Sequence, residues 1–109
     1  MPYVIIEQEL YLKAFKKLSK KYKNMESDVD NFLLSIETTD DLGVELKNNV
    51  YKVRIANRNK NKGKSAGYRL ISYVKIIENE LHLIYIYDKS NLENISEKEL
   101  DTLLIKQLA

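Results

Sequence analysis

The hydrophobic pattern of this 109-residue chain changes period once, and that change restricts the fold more than any other feature. Tyr11, Ala14, Phe15, Leu18 and Tyr22 recur at spacings of three and four, one stripe of a helix predicted over about 7–22. Met25, Val29, Phe32, Leu33 and Ile36 repeat the pattern to about Thr38, and Glu26, Asp28 and Asp30 load the first turns, where the helix dipole favours negative charge. From residue 50 the spacing becomes two. Tyr51, Val53 and Ile55 alternate with Lys52 and Arg54; Leu70, Ser72, Val74 and Ile76 with Arg69, Ile71, Tyr73 and Lys75; Leu81, Leu83, Tyr85 and Tyr87 with His82, Ile84 and Ile86. Three strands are expected, at about 50–57, 67–78 and 80–88, with a tight hairpin at Glu78-Asn79 and a long polar loop from Asn57 to Ala66.

Shorter signals complete the outline. Val4, Ile5 and Ile6 suit a small edge strand, and the turn formers between Thr39 and Asn49 read as a loop. Ser96 followed by Glu99 is a capping-box pattern that starts a last helix, with Leu100, Leu103, Leu104 and Leu108 as its apolar stripe. The expected fold is α+β: two N-terminal helices packed on a small antiparallel sheet, plus a C-terminal helix, with all helices on one sheet face. The length suits a single domain over 1–109.

Period two also sorts the charges. With Tyr51, Val53 and Ile55 turned to the helices, Lys52 and Arg54 face the other way, and Leu70, Val74 and Ile76 in the core put Arg69, Tyr73 and Lys75 on that same face. Tyr85 and Tyr87 share a face, with His82 opposite to them and expected to be structural. The net charge is only +2, yet Leu46 to Ile77 holds nine Lys and Arg residues and no Asp or Glu. An open, basic, tyrosine-bearing sheet face is therefore expected, suited to nucleic-acid phosphates because Lys and Arg neutralise them while Tyr stacks on bases. A merely solubilising run of lysines is the plain alternative.

Other residue types are scarce. The chain has no cysteine and one histidine, which excludes a disulfide framework, a thiolate or multi-histidine metal site and a cysteine nucleophile. No metal or cofactor is expected, and chemistry at neutral pH falls to Lys, Arg, Tyr and carboxylates. No apolar run reaches the length of a signal-peptide core or a membrane span, so a cytoplasmic protein without membrane association is expected.

The stretch Val50-Tyr51-Lys52-Val53-Arg54, the segment Gly63 to Ile71 with its Gly67-Tyr68-Arg69 core, and the exit Ile84 to Ser90 followed by Ile95 to Leu100 resemble the RelE/HigB group of the RelE/ParE toxin superfamily. The similarity covers nearly the whole chain. It implies the toxin of a type II toxin–antitoxin system, a ribosome-dependent mRNA endonuclease neutralised by a cognate antitoxin. Lys52 and Arg69 match the family's functional lysine and arginine, and Arg54 stands where RelE has a second lysine. The chain departs from RelE after the last strand, where Lys89 stands in place of an expected arginine and no tyrosine follows Tyr87.

Metal-free RNA cleavage needs a base for the 2′-OH, charge stabilisation at the phosphorane and an acid for the leaving oxygen. The expected catalytic set is Lys52 as base, with Arg54 beside it favouring the neutral amine by like-charge repulsion, Arg69 at the phosphorane, and Tyr87 or Lys89 as acid or stacking group. Arg58, Lys60, Lys62, Lys64, Tyr73 and Lys75 are the expected RNA- and ribosome-binding residues. Three other readings stand beside this one: a ParE-like gyrase inhibitor, a non-catalytic RNA-binding module, and an inactive toxin copy.

Overall fold

The alternating residues pair into a sheet wider than the three strands expected. The computed structural model describes residues 2–60, 66–92 and 94–108. In chain order these form β1 (Val4–Glu7), α1 (Glu9–Lys21), α2 (Met25–Ser35), a 3-10 turn (Thr39–Leu42), β2 (Val44–Lys47), β3 (Val50–Ile55), β4 (Tyr68–Lys75), β5 (Glu80–Asp88), a second 3-10 turn (Lys89–Asn91) and α3 (Glu97–Leu108). The sheet order is β1-β5-β4-β3-β2. The architecture is α+β as expected, but the sheet is mixed, because β1 pairs parallel to β5 (Ile5 opposite Leu81, Glu7 opposite Leu83).

Strand β2 lies within the stretch expected to be loop. Val44 and Glu45 pair with Lys52 and Tyr51 in a four-residue edge strand too short to raise a periodic signal among turn formers. Gly43 admits this strand: its φ is 92°, and a Cβ there would lie 2.1 Å from the Lys52 carbonyl oxygen. Thr38 and Asp41 cap the preceding 3-10 turn reciprocally.

The helical stripes become one core. Tyr11, Met25, Val29 and Ile36 on α1 and α2 and the residue following α2 are buried against Ile55, Leu70, Val74, Leu81, Leu83 and Ile86. Full burial of a side chain of this kind stabilises by about 1.5–3 kcal/mol. Ile76 departs from expectation: it sits in the β4–β5 turn, 69% exposed. Asn79, at φ 55°, closes that turn with its amide on the Ile76 carbonyl. Among the described residues, no helix is long and apolar enough to cross a membrane.

Helix α3 opens on the expected signal, with the Ser96 hydroxyl donating to Glu99 Oε1 at 3.0 Å and accepting from the Glu99 amide at 3.1 Å. Its position is not the expected one. Leu100 and Leu104 pack with Val50, Ile71, Ile84 and Tyr87, a cluster separate from the α1–α2 core and on the other side of the sheet. Ile71 and Val50 are apolar on the face expected to be open, and water-exposed apolar area of that size calls for a cover. Only part of the leucine stripe is used, since Leu103 is 52% exposed and Leu108 40%.

Candidate active site

Directly opposed residues of an antiparallel ladder share a face, so the strand register identifies which side chains meet. Across β3, β4 and β5 one row reads Arg54, Arg69, Tyr87; the next reads Lys52, Ile71, Tyr85; the third reads Val50, Tyr73, His82. The parity expected for β3 and β4 therefore holds, and Tyr85 and Tyr87 do share a face, with ring centroids 6.1 Å apart. His82 is a correction. Ile71 pairs with Tyr85 but Ser72 pairs with Leu83, so Ile84 is an inserted bulge residue and β5 changes parity there. His82 consequently lies on the same side as the tyrosines, 6.0 Å from the Tyr73 ring, with hydrogen bonds to Gln8 at 2.7 Å and Glu80 at 2.9 Å.

The basic face is covered in part: carboxylates of α3 meet Lys52, Arg69 and Tyr87, while Arg54 and Lys75 stay exposed. Glu97, Leu100, Asp101 and Leu104 recur at three-and-four spacing on α3, so seating the leucines also lays two carboxylates on the Arg54–Arg69–Tyr87 and Lys52 rows. Glu97 Oε1 accepts from Lys52 Nζ, Arg69 Nε and Tyr87 Oη, each at 3.2 Å. Asp101 accepts from Lys52 Nζ at 2.5 Å through Oδ2 and from Tyr87 Oη at 3.5 Å through Oδ1. The Arg69 guanidinium also donates to the Tyr68 carbonyl at 3.3 Å. Its side chain is only 1% exposed.

The electrostatics follow from this packing. Partial burial by itself raises the Glu97 carboxyl, but the hydrogen bond and charge of Lys52, then the Tyr87 hydroxyl and Arg69, outweigh it and hold the group below its ordinary value. Burial, followed by the charges of Asp101 and Glu97, pushes the Tyr87 phenol far up, with Arg69 opposing, so the hydroxyl stays protonated and acts as a donor. Lys52 has two carboxylate partners here, not the purely cationic neighbourhood expected from Arg54. One carboxylate oxygen thus meets an ammonium, a guanidinium and a phenol, donor types that also suit a phosphate oxygen.

The remaining expected site residues are dispersed. Arg54 is exposed opposite Arg69, with no side-chain hydrogen bond or ion pair among the described residues. Lys89 is exposed in the 3-10 turn after β5. Lys62 and Lys64 lie outside the described residues. Tyr73 is half-buried in the α3 cluster, and Lys75 forms a surface pair with Glu78 at 3.4 Å. Arg58 and Lys60 have partners within the chain: Arg58 pairs with Asp28, and Lys60 bonds Asp88 at 2.5 Å, the Ala66 carbonyl at 3.2 Å and Ser90. Sequence reasoning missed Glu97 and Asp101, whose signal was an acidic pair four residues apart on the stripe that carries Leu100 and Leu104. Among the described residues no group of three or more His, Asp or Glu side chains is arranged to hold a metal ion.

Comparison with known proteins agrees with this architecture. The family model for the RelE toxin of the RelE/RelB toxin–antitoxin system matches residues 8–109. No curated protein sequence matches the chain. Among solved structures, the isolated Escherichia coli RelE toxin superposes with a TM-score of 0.54 at 19% identity, covering 98% of this chain and 99% of that one. An E. coli RelE with two arginines replaced by alanine, in complex with a RelB antitoxin peptide, gives 0.53 at 20% identity, covering 87% and 99%. The match over nearly the full length, on a chain whose sheet gathers a lysine, an arginine and a tyrosine about one anionic oxygen, places this protein in the RelE toxin family.

Proposed function

We propose that this chain is the toxin of a type II toxin–antitoxin pair and that it acts as a metal-independent mRNA endonuclease on the ribosome, neutralised by a cognate antitoxin. RelE-family toxins are mRNA-cleaving toxins. The observation that carries the reading is the convergence of Lys52, Arg69 and Tyr87 on Glu97 Oε1. With a phosphate oxygen in that place, Arg69 stabilises the charge of the phosphorane as a permanently charged planar donor. Lys52 stands one hydrogen bond from the same oxygen and, as the unprotonated amine, takes the 2′-OH proton. Tyr87 is the protonated group placed to serve the leaving 5′-oxygen, or to stack on a base. The chain's cations do not by themselves orient an mRNA, so the ribosome supplies the positioning, an effect worth several kcal/mol of barrier. Arg54 and Lys89, exposed beside and beyond this cluster, together with Lys62 and Lys64, are the cations assigned to RNA and ribosomal RNA.

The test uses purified protein and ribosomes programmed with a defined mRNA. Cleavage in the A site to fragments with 2′,3′-cyclic phosphate and 5′-hydroxyl ends is the expected result. Intact mRNA with inhibition of gyrase supercoiling identifies the ParE-like activity instead. Salt-sensitive RNA binding without fragments identifies a non-catalytic binding module.

A further inference from the structure

Arg69 and Tyr87 face each other on the next-to-last pair of the β4–β5 ladder, with Tyr68 and Asp88 as the last. Strand β1 pairs with β5 only as far as Leu83, so the part of β5 that carries Tyr85 and Tyr87 has a strand neighbour on one side alone. A ladder end of this kind opens more easily than its middle. We propose that Lys60 is a positioning residue whose ammonium clasps this end of the ladder, fixing Arg69 against Tyr87 for cleavage without itself touching RNA. The proposal rests on the nuclease reading and adds a residue to it.

An ammonium has three N–H donors, and on Lys60 three oxygens take them: Asp88 Oδ1 at 2.5 Å, the Ala66 carbonyl at 3.2 Å and the Ser90 hydroxyl. None remains for a phosphate, and the side chain is only 16% exposed. Ala66 leads into β4, whereas Asp88 and Ser90 lead out of β5, so one cation ties the chain that enters Arg69 to the chain that leaves Tyr87. The Lys89 amide, donating to the Gly67 carbonyl at 3.2 Å, joins the same two segments. The buried Asp88 carboxylate is held further by the Ser90 amide at 2.9 Å, the Ser90 hydroxyl at 2.7 Å and the Asn57 side-chain amide at 3.4 Å. Burial by itself raises this carboxyl, but the hydrogen bonds from Lys60 and Ser90 outweigh it and hold the group below its ordinary value, so it is ionised at neutral pH. A misplacement of about 1 Å at reacting groups can cost about 10²-fold in rate, which is the leverage such a clasp has.

The experiment is single-turnover cleavage by the full chain on programmed ribosomes over a range of toxin concentrations, which separates the maximal rate from the half-saturating concentration. Lys60→Met keeps the length of the side chain and removes its donors. The expected result is a maximal rate lower by at least about tenfold with a half-saturating concentration within about twofold of the parent's, since a shift of Arg69 or Tyr87 acts on the chemical step. An unchanged maximal rate overturns the proposal. So does a loss carried by the half-saturating concentration with a shallower salt dependence, which makes Lys60 a phosphate contact. Lys60→Met with Asp88→Asn leaves no unpaired charge in the interior and carries the test where the single variant is poorly folded. Its maximal rate is expected to stay low while Tm recovers, and recovery of both shows a contribution to stability alone, against the proposal. Hydrogen exchange is the second readout: in the double variant the Lys89 amide is expected to exchange at least about tenfold faster, with the Val74 amide at the far end of β4 unchanged. A parent chain that leaves mRNA intact removes the nuclease reading, and the clasp is then decided by exchange, unchanged protection of Lys89 refuting it. Parental cleavage rates in both folded variants remove the clasp and keep the nuclease.

Discussion

Truncating Leu104 to alanine weakens the seating of α3 on the sheet without touching any charge. The side chain is 5% exposed and packs in the cluster with Val50, Ile71, Ile84 and Tyr87. Buried Leu→Ala changes cost about 2–5 kcal/mol, the low end applying where neighbours can close the gap. Here Leu92, Leu100 and Tyr85 surround the site and are only partly buried, so they can move in, and about 2 kcal/mol is the appropriate figure. Because the anchorage of α3 lies on the far side of the sheet from the main core, this cost falls on docking of the helix. At 1.4 kcal/mol per factor of ten it raises the undocked population about 30-fold. Hydrogen exchange of the α3 backbone amides, which proceeds through that state, speeds up by the same factor. The assay is hydrogen exchange read residue by residue, with circular dichroism showing that the variant is folded. Unchanged exchange of α3 in a folded variant refutes the anchorage by Leu104, and an equal rise across α1 and α2 shows that the two clusters do not open separately.

Other perturbations separate scaffold from site. Lys60→Ala leaves Asp88, 1% exposed, with only hydroxyl, amide and backbone partners among the described residues and is expected to cost about 3 kcal/mol in a urea melt, at the low end for breaking a buried pair; weaker RNA binding at unchanged stability would instead place Lys60 on the RNA surface. Gly43→Ala combines a positive φ with a Cβ 2.1 Å from the Lys52 carbonyl, and a loss of at least about 2 kcal/mol, read as a fall in Tm of roughly 10 °C, is expected. The Glu97 carboxyl is held below its ordinary 4.5, so its contribution to docking is fully present above that value and is lost as pH falls through the lower folded value. Amide chemical shifts of α3 followed by NMR should stay constant from pH 8 to about pH 5 and move only below that; a transition near neutrality contradicts this reading.

The sequence showed most of the elements and misplaced one of them. The helical stripes of α1 and α2 and the alternation of β3 point at a single core, and each buried residue there has one possible face. In β5 both alternating sets are apolar or aromatic, so parity could not be read, and the bulge at Ile84 then reversed it for His82. The parallel pairing of β1 depends on a partner some 75 residues away in sequence, as Ile5 opposite Leu81 shows, and no local pattern reports it. The face taken by α3 was legible in part: Ile71 and Val50 needed cover, and Glu97 and Asp101 share the stripe of Leu104. What could not be read is that the acids would fall on Lys52 and Arg69, because that depends on the axial position of the helix over the sheet.

The nuclease assignment rests on Arg69 at the phosphate, and the single-turnover rate of A-site mRNA cleavage on programmed ribosomes tests it most directly. Removing one preorganised donor to a developing oxyanion costs about 10²–10³ in rate, so Arg69→Ala is expected to cleave at least about 100-fold more slowly than the unaltered chain while its sheet remains folded. Equal rates for the two proteins would contradict the assignment.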